Sequence, residues 1–506
     1  MPADTTNRQI WRVLEKSTPN TAESELNPSV YPFGFREYDA RWRYPEQINL
    51  LGLQCLGAGF GTQLAKMGHA RPRVVVGHDY RSYSAAVKHA VTIGLLSAGC
   101  EVEDIGLAVT PMAYFAQQHL GNCAGAMTTA SHNENGWTGL KVSDHPPVTH
   151  GPKEMAELKQ IVLAGEYVTG AGTYRYRPEV RDVYLKSVGG DFRLKKPLRV
   201  VVATGNGTMG AFAPQVMERV GCTVLPLDTT LDWTFPRYNP NPEDLEALHA
   251  LVAEVRKQKA DLGLAFDGDG DRVGVVDDQG EEIFSDKIGL LIARQLSGEY
   301  PGSRFVVDVK STGLFQDDPV LTKNGSSVEY WMTGHSYLKR RLNETGALAG
   351  FEKSGHFFFA PPVGGGYDDG LVSAVRVLRL LDDAGQPLSK LRASLRHTWQ
   401  SPTMGPYCDE THKYQVVKDI TEEYGTAKAQ GQKICDLPIA DLVTVNGVRV
   451  TLTDGTWGLV RASSNKPSLV VVTESPTSEA MMRGMFADID RRLQATGHVG
   501  EYDQKI

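Results

Sequence analysis

Three aspartates at alternate positions, Asp267, Asp269 and Asp271, stand in the run FDGDGDR at 266–272, directly after the apolar stretch DLGLA at 261–265. Alternation brings carboxylates to one side of a loop, and the intervening glycines let the backbone curl around a small ion. Oxygen-only donors favour a hard cation, Mg2+ or Ca2+, over zinc. Three carboxylates packed this closely repel one another unless a cation stands among them, which makes a merely solvated acidic turn the poorer reading. An EF-hand is disfavoured too. It needs glycine at the sixth loop position and glutamate at the twelfth, and counting from Asp267 those positions hold Arg272 and Asp278.

Other segments carry chemistry less plainly. Ser131, in TTASHNENGWTGLK at 128–141, sits among small residues before His-Asn and two glycines, and reads as an exposed loop presenting a hydroxyl. Alone, such a serine is usually a turn residue. RASSNKP at 461–467 gathers a guanidinium, hydroxyls, an amide and an ammonium on one short loop, a set suited to cradling phosphate. Gly205, Gly207 and Gly210 spell GxGxxG after LRVVVA, with Asp228 at nearly the spacing of a dinucleotide-binding fingerprint. A lone fingerprint is weak, so a structural turn is preferred.

The elements that must position these residues follow one pattern: a short β-branched run, a Gly-rich or polar turn, then a helical stretch. RVVVG at 73–77 precedes a helix-like segment 82–96, LRVVVA at 198–203 precedes the glycine turn, and RFVVDV at 304–309 precedes Lys310. Such alternation predicts α/β units with mainly parallel sheets, whose functional residues collect beyond the carboxyl ends of strands. Breaks near 172–182, at YPGS (300–303) and at SPTMGPY (401–407) divide the chain. Strand-like runs at 442–450 and 469–473 give the last part an α+β texture.

With 506 residues, the chain exceeds what one core supports. Hydrophobic and charged fractions of 41% and 22%, and a net charge of −7, describe a globular enzyme without a nucleic-acid or membrane footprint. Positive charge for an anionic substrate must therefore be concentrated locally. Six scattered cysteines (55, 100, 123, 222, 408 and 435) read as free thiols of a reducing cytosol. The first thirty residues lack the basic-then-apolar pattern of a signal peptide, and no apolar run reaches the length of a membrane span.

Taken together, TASHN around Ser131, DGDGDR, FEKSGH at 351–356 and RASSNKP resemble, in order, the motifs of the α-D-phosphohexomutases, closest to the phosphomannomutase/phosphoglucomutase branch. FREYDAR (35–41), TFPRYNPNPE (234–243), DVKST (308–312) and TGHSYLK (333–339) extend the resemblance from about residue 33 to about 475. It implies three related α/β domains with mixed sheets and a smaller C-terminal α+β domain around a central cleft. Here these would be 1–178 with the phosphoserine loop, 179–300 with the metal loop, 301–402 with the sugar-selecting loop and 403–506 with the phosphate-binding loop.

The implied reaction interconverts hexose 1- and 6-phosphates, of mannose and also glucose, through a phosphoserine at Ser131 and a bisphosphorylated intermediate. Mg2+, held by Ser131, Asp267, Asp269 and Asp271, and a hexose 1,6-bisphosphate activator are implied with it. Lys141 would lie beside the transferring phosphate, Arg272 would balance charge, and His132 would exchange a proton with the accepting hydroxyl. Tyr38, Arg41, Lys310, His335, Glu352, Ser354, His356, Arg461, Ser463 and Asn465 would bind substrate. Glu352 and Ser354, at alternate positions, would grip adjacent sugar hydroxyls. Ser464, Asn465 and Lys466 depart from the family's usual RASNTTP, and Trp42 stands where glycine is frequent.

Reorientation of the intermediate would require a domain rotation, expected to hinge near 401–407. The expected partner is a small phosphosugar, not nucleic acid or membrane; the chain would be a cytoplasmic monomer or dimer. Phosphoglucosamine mutase is the nearest alternative. A Mg2+-dependent phosphatase would leave the serine and the phosphate loop idle, and a non-catalytic binding module would explain none of the motifs together.

Overall fold

The computed structural model describes residues 12–464 and 466–506; Asn465 and the first eleven residues of the segment read for a signal peptide lie outside the described residues. The chain divides into two compact units, residues 1–284 with 354–388, and residues 285–353 with 389–506.

Unit 1 contains two mixed sheets. In the first, β1 (Ala40–Arg43), β2 (Arg73–His78), β3 (Glu101–Leu107), β4 (Ala124–Thr128), β5 (Trp137–Ser143) and β6 (Thr173–Tyr176) run in the order β1-β5-β4-β2-β3-β6. Pairings β2–β3, β2–β4 and β3–β6 are parallel, whereas β5 is antiparallel to both β4 and β1. In the second, β7 (Arg199–Ala203), β8 (Thr223–Leu227), β9 (Leu262–Phe266), β10 (Val273–Val276) and β11 (Glu282–Ile283) run β11-β10-β9-β7-β8, with β7, β8 and β9 parallel. The Val-rich centres of β2 and β7 are buried on both faces, as parallel strands covered by helices must be.

Helices cover these sheets because their inner faces are apolar. Leu50–Lys66 begins where Asn49 Oδ1 accepts the amide of Gly52 at 2.8 Å, the usual use of an Asn cap. Trp42 is fully buried, its Nε1 donating to the Tyr31 carbonyl at 2.7 Å. The indole lies so close to Gly34 that a Cβ there would come within 1.8 Å of it. The local backbone thus pairs a tryptophan in the strand with a glycine facing it.

Unit 2 contains β12 (Arg304–Asp308), flanked in parallel by β13 (Ser327–Trp331) and β14 (Ala349–Phe351). It also contains an all-antiparallel sheet between Trp399 and Ser475. Residues 401–407 are not the linker their Pro/Gly content suggests. Trp399–Gln400 pairs with Leu469–Ser475, Ser401 N donates to the Thr473 carbonyl, and Met404 and Tyr407 form further bridges to the same sheet. Backbone groups of Ser401, Met404 and Tyr407 are thus paired, and the segment is an extension of the sheet.

Candidate active site

The loop 129–136 joins β4 to antiparallel β5, and the loop 267–272 joins β9 to antiparallel β10. Both turn back at the carboxyl end of a parallel strand, where the two loops meet within unit 1. Gly268 lets them approach: a Cβ there would lie 2.5 Å from the Ser131 carbonyl oxygen.

Ser131 is buried rather than exposed, and its backbone is held at a φ of 52°. That left-handed conformation is costly for a non-glycine residue and needs support. Its amide donates to Thr129 Oγ1 at 2.9 Å and its carbonyl accepts from Arg81 Nη2 at 3.0 Å. Arg81 and Thr129 are fixed in turn by Asp79 Oδ2, at 3.2 and 2.8 Å. So supported, Ser131 Oγ lies 3.2 Å from Asp267 Oδ2, 3.2 Å from His132 Nδ1 and 3.4 Å from Arg272 Nη2. Arg272 Nη2 also contacts His132 Nδ1, and Arg272 Nε donates to Asp267 Oδ2 at 3.1 Å.

The three aspartates are completely buried, with ligand oxygens close enough together to share one ion. Lys141, on β5, donates to Asp269 Oδ2 at 2.8 Å and Asp271 Oδ2 at 2.5 Å. Thr110 Oγ1 donates to Asp269 Oδ2 at 2.5 Å, and the amides of Gly270 and Arg272 donate to Asp267 Oδ1 at 3.0 and 3.2 Å. Burial, then the neighbouring Asp271 and Asp269, push the Asp267 carboxyl well above the usual range. Burial also raises Asp271, but Lys141 and His356 outweigh it and bring it down to about 2. Burial opposes the charge on Lys141, yet Asp269 and Asp271 hold its ammonium protonated well above the ordinary lysine range.

Lys141 and Arg272 ion-pair with the three carboxylates through Oδ2 atoms, and the Oδ1 atoms of Asp269 and Asp271 have no hydrogen-bond partner. Orphaned buried carboxylate oxygens in an all-oxygen cluster fit a hard divalent cation.

The other expected residues of unit 1 surround this pair of loops. Arg41 Nη1 donates to Asn133 Oδ1 at 2.7 Å, tying FREYDAR to the serine loop, and Tyr38 is buried just before β1. His356 forms a bridge with Arg272; its Nδ1 lies 2.8 Å from Asp368 Oδ2 and 3.8 Å from Asp271 Oδ1. Ser354 is buried in the same segment. The glycine turn after β7 seats the metal loop, since Thr208 N donates to the Gly268 carbonyl. Asp228 is taken up by Arg237 and Tyr238. Those glycines and that acid are structural.

In unit 2, β12, β13 and β14 end along one edge, and each is followed by an expected motif. Lys310 stands 3.9 Å from Asp308, His335 opens the helix His335–Thr345, and Glu352 Oε1 accepts from Gly334 N at 3.1 Å. Arg461 lies next to the end of the strand Trp457–Ala462 of the antiparallel sheet, and the carbonyl of Ser463 is braced by buried Lys413 Nζ at 2.6 Å. Asp79, Arg81, Thr110 and Asp368 also build the site, although no motif marks them. For Asp79, Arg81 and Thr110 the available signal is their place beyond the ends of parallel strands, as in HDYR after RVVVG; Asp368, in an antiparallel bridge with Phe358, lacks even that.

Sheets of this kind, with an acidic loop folded against a buried serine, define a phosphohexomutase. Residues 33–168, 182–280, 284–398 and 409–492 match the phosphoglucomutase/phosphomannomutase alpha/beta/alpha domains I, II and III and the C-terminal domain. A Pseudomonas putida phosphomannomutase/phosphoglucomutase is 34% identical over 465 residues, covering 91% of this chain and 96% of its own. A Neisseria gonorrhoeae phosphoglucomutase is 31% identical, with 89% and 94% covered. The crystal structure of a phosphoglucomutase/phosphomannomutase family protein from Burkholderia thailandensis superposes with a TM-score of 0.83 at 30% identity, over 94% of this chain and 100% of that one. The chain belongs to the phosphoglucomutase/phosphomannomutase family.

Proposed function

We propose that the chain interconverts the 1- and 6-phosphates of mannose and glucose by moving a phosphoryl group on and off Ser131. The observation that carries this reading is Ser131 Oγ at 3.2 Å from both Asp267 and His132, with Arg272 alongside. With Ser131 phosphorylated, the free hydroxyl of a hexose monophosphate attacks the phosphorus. The Ser131 O–P bond breaks, the sugar O–P bond forms, and the hydroxyl proton is passed on while the serine oxygen takes one up. The hexose 1,6-bisphosphate then returns its other phosphoryl group to Ser131, and by the same step added bisphosphate would load an unphosphorylated serine.

Asp267, Asp269 and Asp271, with an oxygen of the phosphoserine, would hold Mg2+, which supplies charge neutralisation for the phosphoryl group. Arg272 and Lys141 carry the fixed positive charge beside Ser131, and His132 is the group assigned to exchange the proton. Arg461 and Ser463, with Asn465 of the same sequence motif, bind phosphate, and Lys310 binds substrate. His335, Glu352, Ser354 and His356, with Tyr38 and Arg41, bind the sugar phosphate. Six free thiols support a cytoplasmic location.

The deciding experiment incubates the protein with Mg2+, glucose 1,6-bisphosphate and, separately, mannose 1-phosphate, glucose 1-phosphate and glucosamine 1-phosphate, followed by phosphorus NMR. Conversion of the first two to 6-phosphates is the expected result. Preference for glucosamine 1-phosphate would support the mutase named for a 32%-identical Methanothermobacter thermautotrophicus relative, a probable phosphoglucosamine mutase. Release of inorganic phosphate as the main product would refute a mutase.

A further inference from the structure

We infer that Asp308 is a positioning residue for sugar-phosphate recognition, a buried carboxylate that holds in register the three loops carrying Lys310, His335 and Glu352. The inference rests on the roles proposed above for those side chains. Asp308 ends β12 and has no exposed surface, so it acts through its neighbours. Its Oδ1 accepts from Ser311 Oγ at 2.6 Å and from Lys353 N at 3.2 Å. Its Oδ2 accepts from Thr333 Oγ1 at 2.9 Å and lies 3.9 Å from Lys310 Nζ.

One donor thus comes from each of DVKST, TGHSYLK and FEKSGH. A buried acid bonded only to Ser311 would be an ordinary turn, but Thr333 and Lys353 stand 25 and 45 residues away in sequence. Thr333 precedes Gly334 and His335, while the Lys353 amide directly follows Glu352. Each donor therefore lies within two residues of a proposed binding group. The Gly334 amide closes the set by donating to Glu352 Oε1.

The charge matters as well as the shape. Asparagine is isosteric but has one acceptor oxygen, and it would turn an NH2 group toward a donor on one side of the hub. Shifts on the order of 1 Å in a binding group cost about 10- to 100-fold in rate or affinity. The loss should appear mainly in substrate affinity, because Ser131 and the aspartates belong to the other unit.

The test compares the full-length wild type with Asp308→Asn and Thr333→Val. Steady-state turnover is measured with mannose 1-phosphate and glucose 1-phosphate, Ser131 phosphorylation by glucose 1,6-bisphosphate is read from intact mass, and melting is followed in parallel. Asp308→Asn should raise KM about tenfold or more while kcat changes far less. Thr333→Val should shift KM the same way by a smaller factor, with melting near that of the wild type. A fall in kcat at unchanged KM, or activity loss that merely tracks the unfolded fraction, would overturn the inference. Should Asp308→Asn not fold, an unchanged KM in Thr333→Val overturns it. Absence of turnover by the wild type would overturn the proposed function and this inference with it; wild-type turnover with unaltered KM in both variants overturns this inference alone.

Discussion

Ser131 Oγ and Asp267 Oδ2 lie 3.2 Å apart although 136 residues separate them in the chain. The contact joins the hairpin after β4 to the hairpin after β9. The serine reaches it through a left-handed backbone supported by Thr129 and Arg81. A serine held this firmly suits the carrier role proposed for it, because catalysis of phosphoryl transfer is mostly positioning.

Replacing Ser131 with alanine should therefore abolish conversion by three orders of magnitude or more, as loss of a covalent carrier does. Sugar-phosphate binding should survive. Isothermal titration of Ser131→Ala with glucose 1-phosphate, beside a coupled assay, checks both halves; near-normal turnover would eliminate the phosphoserine mechanism.

Lys141 is the counter-charge on which the aspartate cluster depends when no cation is bound. Removing one partner of a buried ion pair leaves uncompensated charge, at about 3–5 kcal/mol. In metal-free protein, Lys141→Met should lower the unfolding free energy of unit 1 by about that much. Mg2+ should stabilise the variant more than the wild type, since it would balance the same carboxylates. Denaturant titrations with EDTA and with Mg2+ measure the difference, and equal stabilisation of both proteins would count against the metal assignment.

Asp369 predicts a pH dependence. It caps the helix Gly370–Ala384, accepting the amides of Leu371 and Val372 and the Tyr184 hydroxyl, and burial pushes its carboxyl up to about 7. Below about pH 4 the group is protonated in both folded and unfolded chains. Between about 4 and 7 the unfolded chain releases a proton that the folded one keeps, so stability falls as pH rises, by an amount on the order of a few kcal/mol. Above about 7 the penalty is constant. Asp369→Asn keeps the cap and should flatten this slope, gaining most over the wild type near pH 8. Parallel unfolding curves at pH 5 and 8 for both proteins would contradict it.

The parts legible in the sequence are those whose chemistry lies in adjacent residues. DGDGDR announces a cation site because alternate carboxylates and glycines have few other uses, and RVVVG or RFVVD announce buried parallel strands. Ser131 was legible only through its company, and its burial was not, since nothing in TASHN records that Arg81 and the metal loop close over it. Asp79, Thr110 and Asp308 act across long stretches of chain, so no local pattern reveals them. SPTMGPY misleads for the opposite reason. Its prolines and glycine read as linker, yet the amides of Ser401, Met404 and Tyr407 all pair with backbone carbonyls.

Residues 401–407 extend the antiparallel sheet, and Arg449 is one of the side chains that join that sheet to the turn after β12. Its Nη1 donates to the carbonyls of Val309 and Ser311 at 2.7 and 2.6 Å, on either side of Lys310, while the guanidinium packs 3.6 Å from the ring centre of Trp457 and 4.2 Å from that of Tyr330. Beside it, buried Glu474 accepts from Thr312, Gly313, Thr398 and Trp457. Arg449→Met would leave two buried carbonyls without this donor, each costing about 1–3 kcal/mol. The expected result is a lower melting point for unit 2, with unit 1 unaffected and a raised KM from the freed Lys310 turn. Calorimetry alongside the mutase assay reads both. An unchanged unit 2 transition would show that water replaces the guanidinium, and that Glu474 and its four donors suffice to hold the sheet against β12.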